Sequence, residues 1–293
     1  LLLSKMHDPN IHGGHSLANL ARLAGGAVKT DFDVADFDLG YTPKMGAYCL
    51  DDNSAMRDVY YCLLAKLEKM RYPWRAVLPL ELRHMVVTDE QCGNGFMLNR
   101  ERANNRYTDL CSRERDITET LQHEWPAITH RRFSDKQKDE DGNWKELKPS
   151  IEEFNPGSRQ QIARRLESEG VRWTKRTETT EKGGGGNIIV NEKTLAPLVV
   201  KHPNAGLCLE YLDIGKERSQ IEGWLRYVDD DDRVRGKVDT LGAVTTRCTH
   251  STPNLAQVKK GPETRGCWVA PDKKIIVGVD AAGLEVRMLA HYM

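Results

Sequence analysis

The stretch Lys273-Lys274-Ile275-Ile276-Val277-Gly278-Val279-Asp280-Ala281-Ala282-Gly283-Leu284-Glu285-Val286-Arg287-Met288-Leu289-Ala290-His291-Tyr292-Met293 decides how this chain is read. A short apolar run ends on the carboxylate of Asp280, and an amphipathic helix follows at once. The pattern predicts a strand with Asp280 at its carboxyl end, where a side chain can face a metal–phosphate site while its backbone is already fixed. A strand-ending aspartate by itself is more often a structural cap than a ligand. The whole string from Gly278 to His291 is far more specific than that one residue.

Working upstream, the charge balance shifts between Arg233 and Arg265. Arg233, Arg235, Lys237, Arg247, Lys259, Lys260 and Arg265 stand there against Asp239 and Glu263. Within this segment lies Gly242-Ala243-Val244-Thr245-Thr246-Arg247-Cys248-Thr249-His250-Ser251-Thr252-Pro253-Asn254-Leu255-Ala256-Gln257. Extended, β-branched backbone interleaved with Arg, Asn and Gln suits a surface that tracks a nucleic-acid duplex. Arginine reaches phosphates, and the two amides can read minor-groove acceptors that all base pairs share. The competing reading is an ordinary basic β-surface.

Together these two segments resemble the polymerase half of the family A (pol I-like) DNA polymerases, in the version found in phage replicative enzymes. Arg247, Thr249, His250, Pro253, Asn254, Leu255 and Gln257 match the family motif that grips the primer-template, and Arg265 with Trp268 and Pro271 matches the stretch leading into the palm. Two positions depart from it: Thr246 stands where the family has glycine, and Lys259 where it has proline. The resemblance implies that Asp280, with the Ala281 carbonyl, belongs to a site for two Mg²⁺ ions. It also implies that Glu285 polices the sugar of the incoming nucleotide, and that Arg287 and His291 brace the palm. Catalysis in such a site rests on positioning and on metal ions that neutralise developing charge. Primer-template DNA and dNTPs are the implied partners, with a processivity factor as a further partner class.

Towards the other end, Tyr48 and Asp52 form a Tyr-x-x-x-Asp pattern on a predicted helix, so both project from one face. The pattern resembles the third motif of 3′–5′ proofreading exonucleases, in which Asp52 would hold a metal and Tyr48 would position a water. Four residues make a weak pattern alone. Asp31, Asp33, Asp36 and Asp38 lie nearby but do not form, in the required order, the Asp-x-Glu pair and further Asp of that family's first two motifs. Gly93 to Asn99, Phe154-Asn155-Pro156 with Ser158 and Ile162, and the stretch from Thr180 to Leu195 resemble thumb segments of the phage branch.

Local signals set the expected elements. Ser16 caps a helix that Gly25 and Gly26 stop, a second helix spans roughly Pro43 to Met70, and Tyr72-Pro73-Trp74 breaks it. A segment from Leu80 is broken at Cys92–Phe96; Asn99 then caps a long polar helix to about His123. Asp141-Gly142 turns a hairpin of short strands, Ser158 caps another helix, and a helix from Leu207 to Val228 ends at the acidic run Asp229–Asp232, read as a solvated turn. Gly183–Gly186 reads as a loop tip, since it lacks the lysine and following helix of a phosphate loop.

Composition leaves this reading open rather than deciding it. Across 293 residues, Lys plus Arg and Asp plus Glu both number 43, so overall charge announces no nucleic-acid partner and any basic surface is local. Seven scattered cysteines include no C-x-x-C pair, which argues against zinc or a disulfide framework and for a reducing, cytoplasmic setting. No apolar run reaches membrane-spanning length. The expected class is α/β, multi-domain α+β: the tail of an RNase H-like exonuclease domain (1–72), a helical thumb (73–206) and the first part of an antiparallel-sheet palm (207–293). The family's later nucleotide-binding helix and its His-Asp-Glu turn do not occur in the sequence, and the chain starts without Met, so both ends look cut. The expectation is a polymerase fragment that does not polymerise alone. The alternatives are a non-catalytic DNA-binding module and an exonuclease-only remnant.

Overall fold

The computed structural model describes residues 1–26, 41–138, 144–177 and 186–293. Asp31, Asp33, Asp36 and Asp38, the Asp141-Gly142 turn and most of the Gly183–Gly186 run lie outside the described residues. The chain divides into two compact units: residues 1–96 with 233–257, and residues 97–232 with 258–293.

Among the described residues the first unit begins with α1 (Leu2–His7), α2 (Leu17–Ala24) and α3 (Pro43–Glu68). Ser16 caps α2 by accepting the Asn19 N–H, and Gly25 ends it in the left-handed conformation, as the local signals require. Leu20 and Ala21 of α2 pack against Ala55, Val59 and Leu63 of α3. The apolar side chains of α3 divide between core and surface. Ala55, Val59, Leu63 and Leu67 are buried, whereas Met56 and Tyr60 face outward at 56% and 48% exposure.

Helix α4 (Trp74–Asn94) starts earlier than Leu80 and carries Pro79 within it. Trp74 is buried at its start and ties down the first turn. Gly95 ends α4 at φ +62°, and a Cβ there would lie 2.8 Å from both the Val234 carbonyl and the Arg235 side chain. Among the described residues this unit also contains β4 (Arg233–Val234), β5 (Lys237–Asp239) and β6 (Thr249–Ser251).

In the second unit, β1 (Phe96–Leu98) pairs antiparallel with β7 (Trp268–Val269) through Met97–Val269 and Leu98–Trp268. Asn99 caps α5 (Arg100–Glu124) by accepting the Arg102 N–H. The buried residues of α5 fall at Ala103, Leu110 and Ile117, seven apart, and then at Leu121. This narrow seam lets an otherwise polar helix pack on α8 (Pro203–Tyr227). Helix α8 begins four residues before the expected Leu207, because Pro203 fits the first helical turn.

The charged segment beyond α5 forms one ribbon. Strands β2 (Ile128–Lys138) and β3 (Trp144–Glu152) pair antiparallel, longer than the short strands expected. Cross-strand pairs explain the difference: Arg131 bonds both carboxylate oxygens of Glu146, and His130 lies 2.8 Å from Glu152. Ser158 caps α6 (Arg159–Ser168) as expected, and the helix buries Ile162 and Leu166. Asn191 forms a capping box with Thr194 at α7 (Glu192–Leu195).

The acidic run after α8 is more than a solvated turn. Arg100 pairs with the Asp232 carboxylate and donates to the Asp229 carbonyl, and the Leu98 N–H donates to the Asp232 carbonyl at 2.8 Å. Helix α9 (Pro262–Arg265) precedes β7, and α10 (Leu284–Tyr292) closes the chain.

The strand expected to end at Asp280 is not formed. Residues 274–280 adopt no regular structure, with Ile275 83% and Val279 92% exposed. Strand propensity becomes a strand when a neighbouring edge takes up the backbone N–H and C=O groups, and no described strand pairs with residues 274–280. The helix expected after it is present, with no buried residue.

Candidate nucleic-acid interface

Strands β5 and β6 form a hairpin in the register Lys237–Ser251, Val238–His250 and Asp239–Thr249. Strand alternation puts Thr249 and Ser251 on one face and His250 on the other. Thr249 is exposed; His250 is half-buried and lines a cleft of about 150 Å³ with Gly236, Pro253, Leu255, Phe96 and Cys92. The loop between the strands closes on itself: the Ala243 N–H donates to the Arg247 carbonyl at 3.1 Å and the Thr246 N–H to the Ala243 carbonyl at 2.9 Å. Arg247 follows this turn and is exposed.

Thr246 occupies φ +61°. This is the left-handed region, which glycine enters freely and a β-branched residue rarely does. The position where the resemblance calls for glycine is therefore one where the backbone demands it. Thr252, at φ +54°, precedes Pro253 across a cis peptide.

Beyond β6, the Asn254 side-chain oxygen accepts the Ala256 N–H at 2.9 Å and fixes a local turn. That leaves the Asn254 amide group on an exposed residue next to exposed Gln257. Gly236 lets this segment approach: a Cβ there would sit 2.7 Å from the Pro253 carbonyl and 3.1 Å from the Leu255 side chain. At the far end of β5, Asp239 pairs with Lys5 at 3.0 Å and accepts the Leu241 N–H. Burial pushes its carboxyl up, but Lys5 and the Leu241 N–H outweigh that and hold it below the usual range.

Not all of the basic run faces solvent as a free charge. Arg233 donates to the carbonyls of Asn94 and Gly95, and Arg235 to that of Gly93. Both arginines thus serve the carboxyl end of α4, where carbonyls lack helical partners. Lys237, Arg247, Lys260 and Arg265 are exposed.

Lys259 has a third fate, and it exposes a residue that sequence reading missed. Its ammonium bonds Asp213 at 2.7 Å and Glu217 at 2.8 Å, and its backbone N–H donates to the Gln220 side chain at 3.3 Å. Glu217 is 2% exposed on α8. It also accepts from Arg106 Nε at 2.8 Å and from the Thr264 hydroxyl at 2.6 Å. Burial pushes the Glu217 carboxyl up; the bonds from Arg106, Lys259 and Thr264 overcome it and hold the group at about 2. Burial pushes Lys259 down, but its bonds to Asp213 and Glu217 outweigh that and raise it; Arg106 is raised mainly through its bond to Glu217. Nothing local in the sequence marks Glu217, because its partners lie 42 to 111 positions away.

The remaining expected site residues are placed without forming a metal cluster. Tyr48 and Asp52 both project from α3 and are half-buried. Asp280, Ala281 and Glu285 are exposed around the turn into α10. Among the described residues no group of three or more His, Cys, Asp or Glu side chains could hold a metal ion. The Asp280 carboxylate and Ala281 carbonyl are hard oxygen donors of the kind Mg²⁺ takes, and they fit part of such a site.

Residues 128–293, more than half of the chain, match the family described as DNA polymerase family A. The chain belongs to that family. It is 37% identical over 161 residues to the DNA-directed DNA polymerase of Escherichia phage T7, covering 48% of this family A chain and 22% of the phage protein. DNA polymerase I of Helicobacter pylori is 32% identical over 108 residues, or 35% of this chain and 12% of that protein. The chain thus spans about a fifth or less of the curated relatives it matches. The fold is similar, with a TM-score of 0.67 and 17% identity, to the polymerase domain of Pol1 from M. smegmatis, solved with a DNA primer-template and dNTP. That likeness covers 92% of this chain and 41% of the solved one. Among the described residues no helix is long and apolar enough to cross a membrane.

Proposed function

We propose that this family A chain supplies the primer-template grip and the first metal-binding carboxylate of a DNA-directed DNA polymerase. One observation carries the reading: the β5–β6 hairpin and the turn after it present Arg247, Thr249, Asn254 and Gln257 on exposed backbone that Gly236 and the Asn254 turn hold in place. Arg247 contacts a phosphate. The Asn254 and Gln257 amides meet minor-groove acceptors, and His250 lines the adjoining cleft. Such contacts tolerate any sequence, as template copying requires.

In the parent enzyme the primer 3′ oxygen bonds to the α-phosphorus of a dNTP as the bond to pyrophosphate breaks. Asp280 and the Ala281 carbonyl would hold Mg²⁺, which neutralises charge on the phosphates. Glu285 bounds the sugar of the incoming dNTP. Residues 73–206 act as thumb, 207–293 open the palm, and 1–72 end an RNase H-like exonuclease domain in which Asp52 would hold a metal and Tyr48 would orient water. A processivity factor and a cytoplasmic setting belong to the same reading.

Fluorescence anisotropy with a labelled primer-template, titrated across a salt series, tests the grip. Arg247→Ala should weaken binding and reduce the slope of log affinity against log salt by about 1, the signature of one lost phosphate contact. An unchanged slope with unchanged affinity would remove Arg247 from the interface.

A further inference from the structure

The turn that carries Arg265 is held from five sides. Arg102 donates to the Pro262 carbonyl at 2.9 Å, and Arg106 Nη1 pairs with Glu263 at 2.7 Å. The Thr264 hydroxyl, buried at 2% exposure, donates to buried Glu217. A Cβ at Gly266 would collide with the Pro262 carbonyl, so the chain turns back there without a side chain. Buried Cys267 accepts the Asn99 N–H at its carbonyl at 2.8 Å and directs its thiol to the Glu263 carbonyl at 3.3 Å.

From 262 to 267, Pro262, Glu263 and Arg265 are exposed, and of the two charged side chains Glu263 is engaged by Arg106. The Arg265 guanidinium has no ion-pair partner among the described residues. A rigid frame around one outward cation is wasteful if the cation merely solvates the surface, since a flexible arginine does that equally well. Fixing the backbone that carries the cation matters when the cation must meet a fixed charge, because ordering that segment at binding otherwise costs affinity.

We infer that Glu217 is a positioning residue: through Thr264, Arg106 and Lys259 it sets the α9 turn so that Arg265 meets a phosphate of bound duplex DNA. The buried carboxylate gathers three donors from three parts of the chain. Arg106 comes from α5, Lys259 from the segment before α9, and Thr264 from α9 itself. The inference rests on the DNA-gripping reading and extends it to residues that never touch DNA.

Thr264→Val tests this with no change of charge and almost none of shape. In the anisotropy assay across a salt series, Arg265→Ala should lose affinity and flatten the salt slope by about 1. Thr264→Val should flatten it by a similar amount, Thr264→Ser should restore the parent slope, and the double variant Thr264→Val/Arg265→Ala should be no weaker than Arg265→Ala alone. A merely structural hydroxyl would shift the unfolding midpoint but leave the slope untouched, and that result overturns the inference. So does a double variant whose loss is the product of the two single losses. If the parent chain does not bind the duplex, the DNA-gripping reading falls and takes this inference with it. If the parent binds and Arg265→Ala is silent, the inference alone falls.

Discussion

Replacing Thr246 by glycine should stabilise the β5–β6 hairpin. Thr246 sits at φ +61°, where the Cβ of an L-residue crowds its own backbone. That conformation costs about 1–2 kcal/mol for a residue with a side chain. Glycine removes the cost but returns about 0.4–1 kcal/mol through the greater freedom of its unfolded chain. The Thr246 hydroxyl donates to the Thr245 carbonyl at 2.7 Å, and losing this exposed bond subtracts little. The net expectation is about 0.5–1 kcal/mol in favour of glycine, or roughly a two- to fivefold gain in closed hairpin over open. Because the gain is local, amide hydrogen exchange is the measurement: the Ala243 N–H, which donates to the Arg247 carbonyl across the turn, should exchange two to five times more slowly. Thr246→Asn should gain part of this, since asparagine tolerates the left-handed region, and Thr246→Ala should gain almost nothing. If alanine protects as well as glycine, or glycine exchanges faster than threonine, backbone strain at 246 is not what limits the hairpin.

Two further expectations follow from buried contacts. Glu217 titrates at about 2 folded against an ordinary value of 4.5, so its stabilisation is full above pH 4.5 and is lost as pH falls towards 2. Between pH 6 and pH 2.5 the loss is about 2–3 kcal/mol in the unfolding free energy from urea titrations, and Glu217→Gln should be less stable at pH 6 and flatter below it. Gly236→Ala would press a methyl against the Pro253 carbonyl and Leu255. It should cost about 1–3 kcal/mol in thermal unfolding and weaken primer-template binding, whereas an unaffected melt would mean the 253–255 segment yields freely.

How much of this was legible in sequence depended on range. Caps at Ser16, Asn99 and Ser158, the stop at Gly25 and the start of α3 at Pro43 are decided within a turn of helix, and local reading found them. Family membership was legible for a different reason: side chains around Arg247 to Gln257 and Gly278 to His291 form strings too long to arise from propensity. What escaped was settled at a distance. The seam at Ala103, Leu110 and Ile117 hides in a helix dominated by charge, and β1 meets β7 across some 170 positions. Glu217 looks like any helical glutamate until Arg106, Lys259 and Thr264 converge on it. The missing strand before Asp280 is the converse case: apolar, β-branched residues supply the propensity, and pairing is not theirs to supply.

Lys259 changes the kind of stiffness at its position. Proline, usual there in the resemblance, restrains the chain by a covalent ring, a restraint indifferent to ions and pH. Lys259 restrains it by charge on a side chain 37% exposed, reaching Asp213 and the buried Glu217. Dissolved ions compete with such a latch at its exposed arm and far less at its buried one. The segment leading to Arg265 is therefore tuned by its ionic surroundings: a rise in salt loosens at Asp213 what it leaves fastened at Glu217.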